Sequence, residues 1–345
     1  MNVEELLGRP PVVLDEPAIT SFIKGSTVLV TGAGGSIGSE LCRQIDRFEP
    51  ARLILVDRAE DNLFRIHRDL PHGEPCIGDV CDATRMEWLF STYRPDTVLH
   101  AAAYKHVPMM ETNAREAVRN NVVGTRVVAD TSAVFGVKNF VLVSTDKAVN
   151  PASVMGATKH LAEMYVLALR GRSRTNFNIV RFGNVLGSTG SVVPIFLEQI
   201  ARGGPVTITH PEMTRYFMTI PEACQLVLQA AVLGAVLDCD FEPGNVFVLD
   251  MGKPIRVVDL ASTLIRRAGY EPGETMPIVY TGMRPGEKLV EELSREGLVP
   301  TGHPGILVGH PLPPSLESVV AAIGDVYGAW DVKMKLLGVS RQFEG

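Results

Sequence analysis

The sequence is poor in aromatic residues, 6% of 345, and has no surplus of positive charge. With 33 Lys and Arg against 39 Asp and Glu, its net charge of -6 argues against a nucleic-acid surface. An anionic small molecule stays open as a partner, because local basic groups rather than net charge decide that. The five cysteines, at 42, 76, 81, 224 and 239, are odd in number and scattered, which excludes a disulfide framework. Cys76 and Cys81 lack the spacing and partners of a zinc site, so no metal is expected and the thiols read as reduced. Long hydrophobic runs are missing too. The longest, 226–237, is broken by Gln229 and is too short to span a bilayer. Residues 1–14 mix charges and prolines without an apolar centre, which excludes a signal peptide. The sequence has no internal repeat and no low-complexity tract. These absences point to a cytoplasmic chain with no membrane segment.

What is present alternates between β-branched runs and helical patterns. The length allows one sizeable core and a smaller lobe. Residues 1–25 read as an arm with a short helix at 16–24. Thr27-Val-Leu-Val-Thr31 then reads as a buried strand, followed at once by Gly32-Ala-Gly-Gly-Ser-Ile-Gly38 and a helix from Ser39. Glycines at 32, 35 and 38 allow a tight turn and close backbone approach, and Ser36 and Ile37 lie between them at the helix entry. That pattern predicts a dinucleotide pyrophosphate site at a helix N-terminus. The next strand ends in Asp57, about 20 residues beyond the glycines, where a ribose hydroxyl pair would be held. Asp57 favours NAD, while Arg58 beside it leaves NADP open.

Further strand ends add to this site. Asp79 and Val80 follow a third strand and are expected near the adenine. A fourth, 97–100, ends in Ala101, Ala102 and Ala103, small enough for a cofactor to lie against the backbone. Tyr104 continues that wall, and Lys105 and His106 are candidate substrate contacts. Asn121, inside an expected helix at 116–135, reads as a bridge between backbone groups.

The apolar run 140–143 leads into Ser144-Thr-Asp-Lys147, just where catalytic side chains of open α/β sheets collect. Asp146 and Lys147 are an adjacent acid and amine that can trade protons if a closed, dry site pushes their pKa values apart. The bland reading is an ion pair in a surface turn. Met155 and Lys159, four apart, share one face of the following helix. A strand at 177–182 precedes Gly183 to Pro194, where the β-α rhythm breaks. The predicted architecture is therefore a Rossmann-type doubly wound parallel sheet at 26–183 with a smaller substrate lobe at 184–310. Residues 245–250 return to the main sheet, and a tail helix lies within 311–345. Gly282-Met-Arg284-Pro-Gly286-Glu287-Lys288 reads as a polar loop before a short helix.

Together these motifs resemble the extended short-chain dehydrogenase/reductases, and more closely the bacterial UDP-N-acetylglucosamine 4,6-dehydratases of surface-polysaccharide synthesis. The resemblance rests on Thr31-Gly-Ala-Gly-Gly-Ser-Ile-Gly38, Ala101-Ala-Ala-Tyr-Lys-His-Val-Pro108, Ser144-Thr-Asp-Lys147, Arg181-Phe-Gly-Asn-Val185 and Arg284-Pro-Gly-Glu-Lys288. It implies a lyase that oxidises sugar C4 with a bound nicotinamide, eliminates water across C5 and C6, and returns the hydride to C6. Lys147 would be the base at C5 and Asp146, held protonated by burial, the acid at C6. Lys159 would hydrogen-bond the nicotinamide ribose. The superfamily's Tyr-x-x-x-Lys stands here as Met155-Gly-Ala-Thr-Lys159, and a thioether cannot take the C4 hydroxyl proton. The larger, membrane-anchored branch of these dehydratases shows the same Met. Thr145, or a water near Asp146, is the expected relay.

The resemblance also implies a UDP-sugar as partner and a homo-oligomer. Val185 is expected against the cofactor, and Ser191 and Val192 against the substrate. Asn184, Arg215 and Arg284 are expected on the diphosphate, Glu287 on ribose hydroxyls, and the backbone at Thr207 on a uracil edge. Residues 3–11 look like the junction that follows the transmembrane helices of the larger relatives. The chain is therefore read as a soluble relative, or the soluble part, of such an enzyme. A nucleotide-sugar 4-epimerase and a catalytically silent NAD-binding regulatory protein stay as alternatives.

Overall fold

A computed structural model describes residues 14–237, 245–295 and 297–343. The sequence expectations for residues 3–11 and for Cys239 lie outside the described residues. In chain order, α1 (Glu16–Ile23) leads into β1 (Thr27–Thr31), α2 (Ser36–Asp46), β2 (Arg52–Asp57), α3 (Glu60–Asp69) and β3 (Glu74–Ile77). Then follow α4 (Ala83–Tyr93), β4 (Thr97–His100), α5 (Val107–Thr112) and α6 (Ala114–Val118). A π-helical turn (Arg119–Val123) joins α6 to α7 (Gly124–Val134), so the helix expected at 116–135 is broken into three pieces. β5 (Asn139–Val143), a 3-10 turn (Asp146–Ala148), α8 (Val154–Leu169) and β6 (Asn176–Arg181) complete this half.

β1 to β6 are parallel in the order β3-β2-β1-β4-β5-β6. Helices cover both faces, which is why strands such as Val28 to Val30 and Leu53 to Val56 read as unbroken apolar runs. One apolar core lies under α1, α2, α3 and α10 (Ile220–Leu237), the other under α4, α7 and α8. The strand order reverses between β1 and β4, and a crevice opens there beyond the carboxyl ends of the strands.

Past β6 the chain leaves the sheet. β7 (Asn184–Leu186) pairs with β10 (Phe217–Thr219), and β8 (Val206–Ile208) with β13 (Ile278–Tyr280). β9 (Thr214–Arg215) pairs with β12 (Ile255–Arg256). With α9 (Val192–Ala201) and α11 (Val257–Arg267) these enclose a third small core around Phe196, Leu264 and Met276. β11 (Val246–Leu249) rejoins the main sheet in parallel beside β6. Residues 299–309, counted with the second lobe from the sequence, instead extend that sheet as antiparallel β14 (Val299–Pro300) and β15 (Ile306–Gly309). The short helix expected directly after 282–288 is not formed among the described residues of 289–298, where Arg215 and Lys288 tie the chain down in an irregular path.

The single tail helix expected after residue 311 is a pair, α12 (Leu316–Gly328) and α13 (Val332–Gln342). It packs Ile323, Val326 and Leu336 against α8, all sixteen residues of which are buried. With burial on every side, even Lys159 and Glu163 of α8 lie inside the protein.

Candidate active site

The glycine loop is built by steric exclusion. Gly32 has φ +68°, and a Cβ on it would lie 2.8 Å from the Ala102 backbone. A Cβ on Gly38 would lie 2.0 Å from the Gly32 carbonyl oxygen. The helix starts three residues earlier than the sequence suggested, at Ser36, so Gly38 falls in its first turn. Its cap, Gly35, brings no side chain to the end of α2, which leaves N–H groups to face an anion.

Asp57 sits at the end of β2, where both carboxylate oxygens accept backbone donors, Gly34 N–H at 2.9 Å and Ala59 N–H at 2.9 Å. Beside it a cavity of about 150 Å³ is lined by Arg58, Val80, Ala102 and Tyr104. The Arg58 guanidinium stacks 4.7 Å over the Tyr104 ring and bonds its hydroxyl. Asp79, expected at the adenine, instead turns its carboxylate to Cys81 N–H and Arg119. Asn121 accepts Tyr104 N–H and donates to Tyr104 C=O and Thr158, which fixes the wall that carries Tyr104.

A larger cleft of about 450 Å³ continues along the crevice. Gly35 to Gly38, Ala101, Ala103, Tyr104, Lys105 and His106 line it. Thr145, Lys147, Met155, Lys159, Asn184, Val185 and Ser191 line it as well. The side chains that matter here come from the turns just beyond β4 and β5, from the first turns of α8 and from the start of β7. Thr145 is extended and caps the 3-10 turn, which directs Asp146 inward.

Asp146 is fully buried, and its Oδ1 accepts from the Thr145 hydroxyl at 2.8 Å and from Lys147 Nζ at 3.0 Å. Lys147 Nζ also donates to Asn184 Oδ1 at 2.9 Å. Neither side chain faces bulk solvent: Lys147 looks into the cleft and Asp146 lies beneath it. The arrangement thus sets an amine, a hydroxyl and a carboxylate in one hydrogen-bonded chain at the cleft wall.

Lys159 donates to Val143 C=O at 2.7 Å. Burial pushes its pKa down to about 8, with Glu163 pulling the other way. Under it, Glu163 takes two bonds from Arg181, at 2.9 and 2.7 Å, and one from Ser144 at 2.5 Å. His100 bridges Thr31 and Thr125, and burial, helped by Lys159, pushes its pKa to about 3, so the ring is neutral. Burial also lowers Lys105, and it lowers His106 with Lys105 adding to the effect. Gly190, at φ +68°, lets the His106 ring approach, since a Cβ there would lie 2.6 Å from it.

Several expected substrate contacts are directed elsewhere. Arg215 is buried, and its guanidinium bonds the carbonyls of Thr214, Lys288 and Leu289 rather than facing the cleft. Arg284 is exposed and pairs with the largely buried Glu287, so the two are occupied with each other. Thr207 N–H is already taken by Gln199 at 3.0 Å, which leaves no backbone donor at that position for a base edge. Val192 is the first residue of α9 and lies outside the cleft lining. Conversely, Glu291 was not singled out from the sequence. It is 5% exposed and lies 3.9 Å from both Lys147 and Arg215. A lone Glu about 144 positions from Lys147 carries no motif, and only the fold brings the two together.

Residues 28–310 match the family of polysaccharide biosynthesis proteins. The probable polysaccharide biosynthesis protein EpsC of Bacillus subtilis is 54% identical over 302 residues, 85% of this chain and 49% of EpsC. The chain spans about half the length of that relative and of others at this similarity. A UDP-N-acetylglucosamine 4,6-dehydratase (inverting) of Campylobacter jejuni is 33% identical over 276 residues, 76% of each chain. Among solved structures, Pen from Bacillus thuringiensis superposes with a TM-score of 0.75 at 32% identity, over 85% of this chain and 89% of its own. Among the described residues no helix is long and apolar enough to cross a membrane.

Proposed function

Because the chain belongs to the family of polysaccharide biosynthesis proteins, we propose that it dehydrates a UDP-N-acetylhexosamine, UDP-N-acetylglucosamine, to the 4-keto-6-deoxy sugar with bound NAD. The single observation that carries this reading is the Thr145–Asp146–Lys147–Asn184 chain of hydrogen bonds on the cleft wall. The glycine loop, the bare end of α2 and Asp57 suit the pyrophosphate and ribose of a dinucleotide. Arg58, engaged with Tyr104, offers little to a 2′-phosphate, which favours NAD over NADP. Lys159, reaching Val143 C=O from below, stands where it can also donate to a ribose hydroxyl.

When bound, the nicotinamide accepts hydride from sugar C4 and returns it to C6. The chain's own residues move the protons. Asp146, arranged as an acceptor, receives the C4 hydroxyl proton through Thr145, which loses its own proton to Asp146 as it gains the substrate's. Asp146 therefore needs no proton at the outset, and Met155 is relieved of a task a thioether cannot perform. Lys147, as the free amine, takes the proton from C5, which the adjacent C4 ketone has made acidic. Asp146 then hands its proton back through Thr145 to the C6 hydroxyl, and the C6–O bond breaks to release water. Finally Lys147 returns its proton to C5 from the same face, keeping the configuration there. One proton from the C4 hydroxyl and one hydroxyl from C6 make up the water, so both residues end as they began.

Incubating the full chain with NAD and UDP-N-acetylglucosamine and following ¹H NMR tests this reading. A new methyl doublet from C6 is expected. Appearance of the C4 epimer alone would establish an epimerase instead, and dinucleotide binding with an unchanged sugar would establish a silent binding protein.

A further inference from the structure

Building on that reading, we infer that Glu291 is the fixed counter-charge of Lys147 and sets the strength of the base that removes the C5 proton. Glu291 comes from the second lobe, just past the 284–288 loop, and its Oε1 lies 3.9 Å from Lys147 Nζ and 3.9 Å from Arg215 Nη2. It is 5% exposed, and its Oε2 accepts no hydrogen bond among the described residues. Buried carboxylates persist where cations offset them. Here Arg215, fastened by three backbone carbonyls, supplies a charge that does not move.

The reason for a second carboxylate lies in the order of the proton transfers. When Lys147 takes the C5 proton, Asp146 holds the proton received from the C4 hydroxyl and is neutral. The closer of the two acids therefore offers no charge at the moment the ammonium forms. Glu291 takes no part in those transfers and keeps its charge throughout. An anion that stabilises the ammonium and not the amine lowers the barrier to proton removal. The charged groups around Glu291 are Lys147 and Asp146 on the 3-10 turn, Arg215 on β9 and Lys288 on its own loop. Burial, the largest influence, holds its pKa above the ordinary carboxylate value; Lys147 opposes that, Asp146 adds to it, and Arg215 and Lys288 oppose it. Protonation of Asp146 removes one of the raising influences, so Glu291 is most firmly ionised just when Lys147 becomes charged. Glu291 is thus a positioning residue that acts through Lys147.

The test reads the lysine directly as well as turnover. Competitive acetylation of the full chain with NAD across pH, followed by peptide mass spectrometry, gives the titration midpoint of Lys147, with exposed Lys253 as internal standard. Removing an opposite charge destabilises the ammonium, so in Glu291→Gln the midpoint falls, by about one to three pH units. Glu291→Asp keeps the charge and holds the midpoint near that of the parent protein. At a pH above both midpoints, where Lys147 is the free amine in either protein, the weaker base lowers kcat for UDP-N-acetylglucosamine by roughly 5- to 30-fold in Glu291→Gln, with KM little changed. The acid limb of its pH–rate profile moves down with the lysine midpoint. An unmoved Lys147 midpoint in Glu291→Gln overturns the proposal, as does a moved midpoint with unchanged kcat. A parent protein that leaves the sugar nucleotide intact is a separate result: it overturns the dehydratase reading and takes this proposal with it, whatever the midpoints.

Discussion

Replacing Thr145 by Val removes one hydroxyl and little volume, which makes it the cleanest perturbation of the proton path. The hydroxyl donates to Asp146 Oδ1 at 2.8 Å and accepts Lys147 N–H at 3.4 Å. Only the first is a strong bond, and Lys147 Nζ still donates to the same oxygen at 3.0 Å in its absence. The stability lost is therefore that of about one hydrogen bond, near 1 kcal/mol, and Tm falls by about 1–2 °C. The chemical loss is larger. A positioned proton relay contributes about 10²- to 10⁴-fold, or roughly 3–5 kcal/mol of barrier. In Thr145→Val kcat is expected to fall by that factor while KM stays within about threefold. The slow step also changes. With UDP-N-acetylglucosamine deuterated at C4, the kinetic isotope effect on kcat should rise in the variant, because C4 oxidation becomes rate-limiting. Thr145→Ser, which keeps the hydroxyl, should recover most of the rate. Turnover by Thr145→Val within threefold of the parent protein, with no rise in the isotope effect, would refute the relay.

Met155→Leu should keep kcat within about threefold, since Met155 is buried and exchange between these side chains is well tolerated; a loss near 100-fold would mean that the thioether takes part in the chemistry. Gly38→Ala places a Cβ 2.0 Å from the Gly32 carbonyl and should weaken NAD binding by roughly 100-fold or more in calorimetry, with UDP affinity little changed. Near-normal NAD affinity would remove the glycine loop from the cofactor site. Glu163, fully buried, has its carboxyl held below the usual 4.5: burial raises it, but Arg181 and the Ser144 hydrogen bond outweigh that. A carboxylate depressed in the folded state contributes stability above its unfolded pKa and loses it as pH falls through the folded value. Glu163→Gln should therefore cost about 3–5 kcal/mol in urea unfolding at pH 7, with the difference from the parent shrinking below about pH 4. Parallel stability–pH curves for the two proteins would contradict that assignment.

What the sequence disclosed and what it withheld divide along a physical line. The glycine loop, Asp57 and the Asp146-Lys147 pair were legible because local backbone geometry and strand ends fix them, and both leave patterns over a few residues. Asn121 reads as a mid-helix residue that bridges backbone groups, and it bonds both the N–H and the C=O of Tyr104. The second lobe was not. Arg215, Arg284, Glu287 and Thr207 were chosen for what their side chains can bind, but Leu289 C=O, a neighbouring carboxylate and Gln199 were already waiting for them. Glu291 stayed hidden because its partner lies in another lobe, and no spacing rule joins the two. The tail pair α12–α13 was likewise invisible as a cover for α8, because an apolar helix does not state what buries it.

UDP-N-acetylglucosamine carrying deuterium at C4 offers the most direct test of the whole account. The account predicts a 4-keto-6-deoxy product whose C6 methyl group contains that deuterium, seen by NMR without loss to solvent. Deuterium still at C4 of an epimerised sugar, or a label released to water, would contradict it.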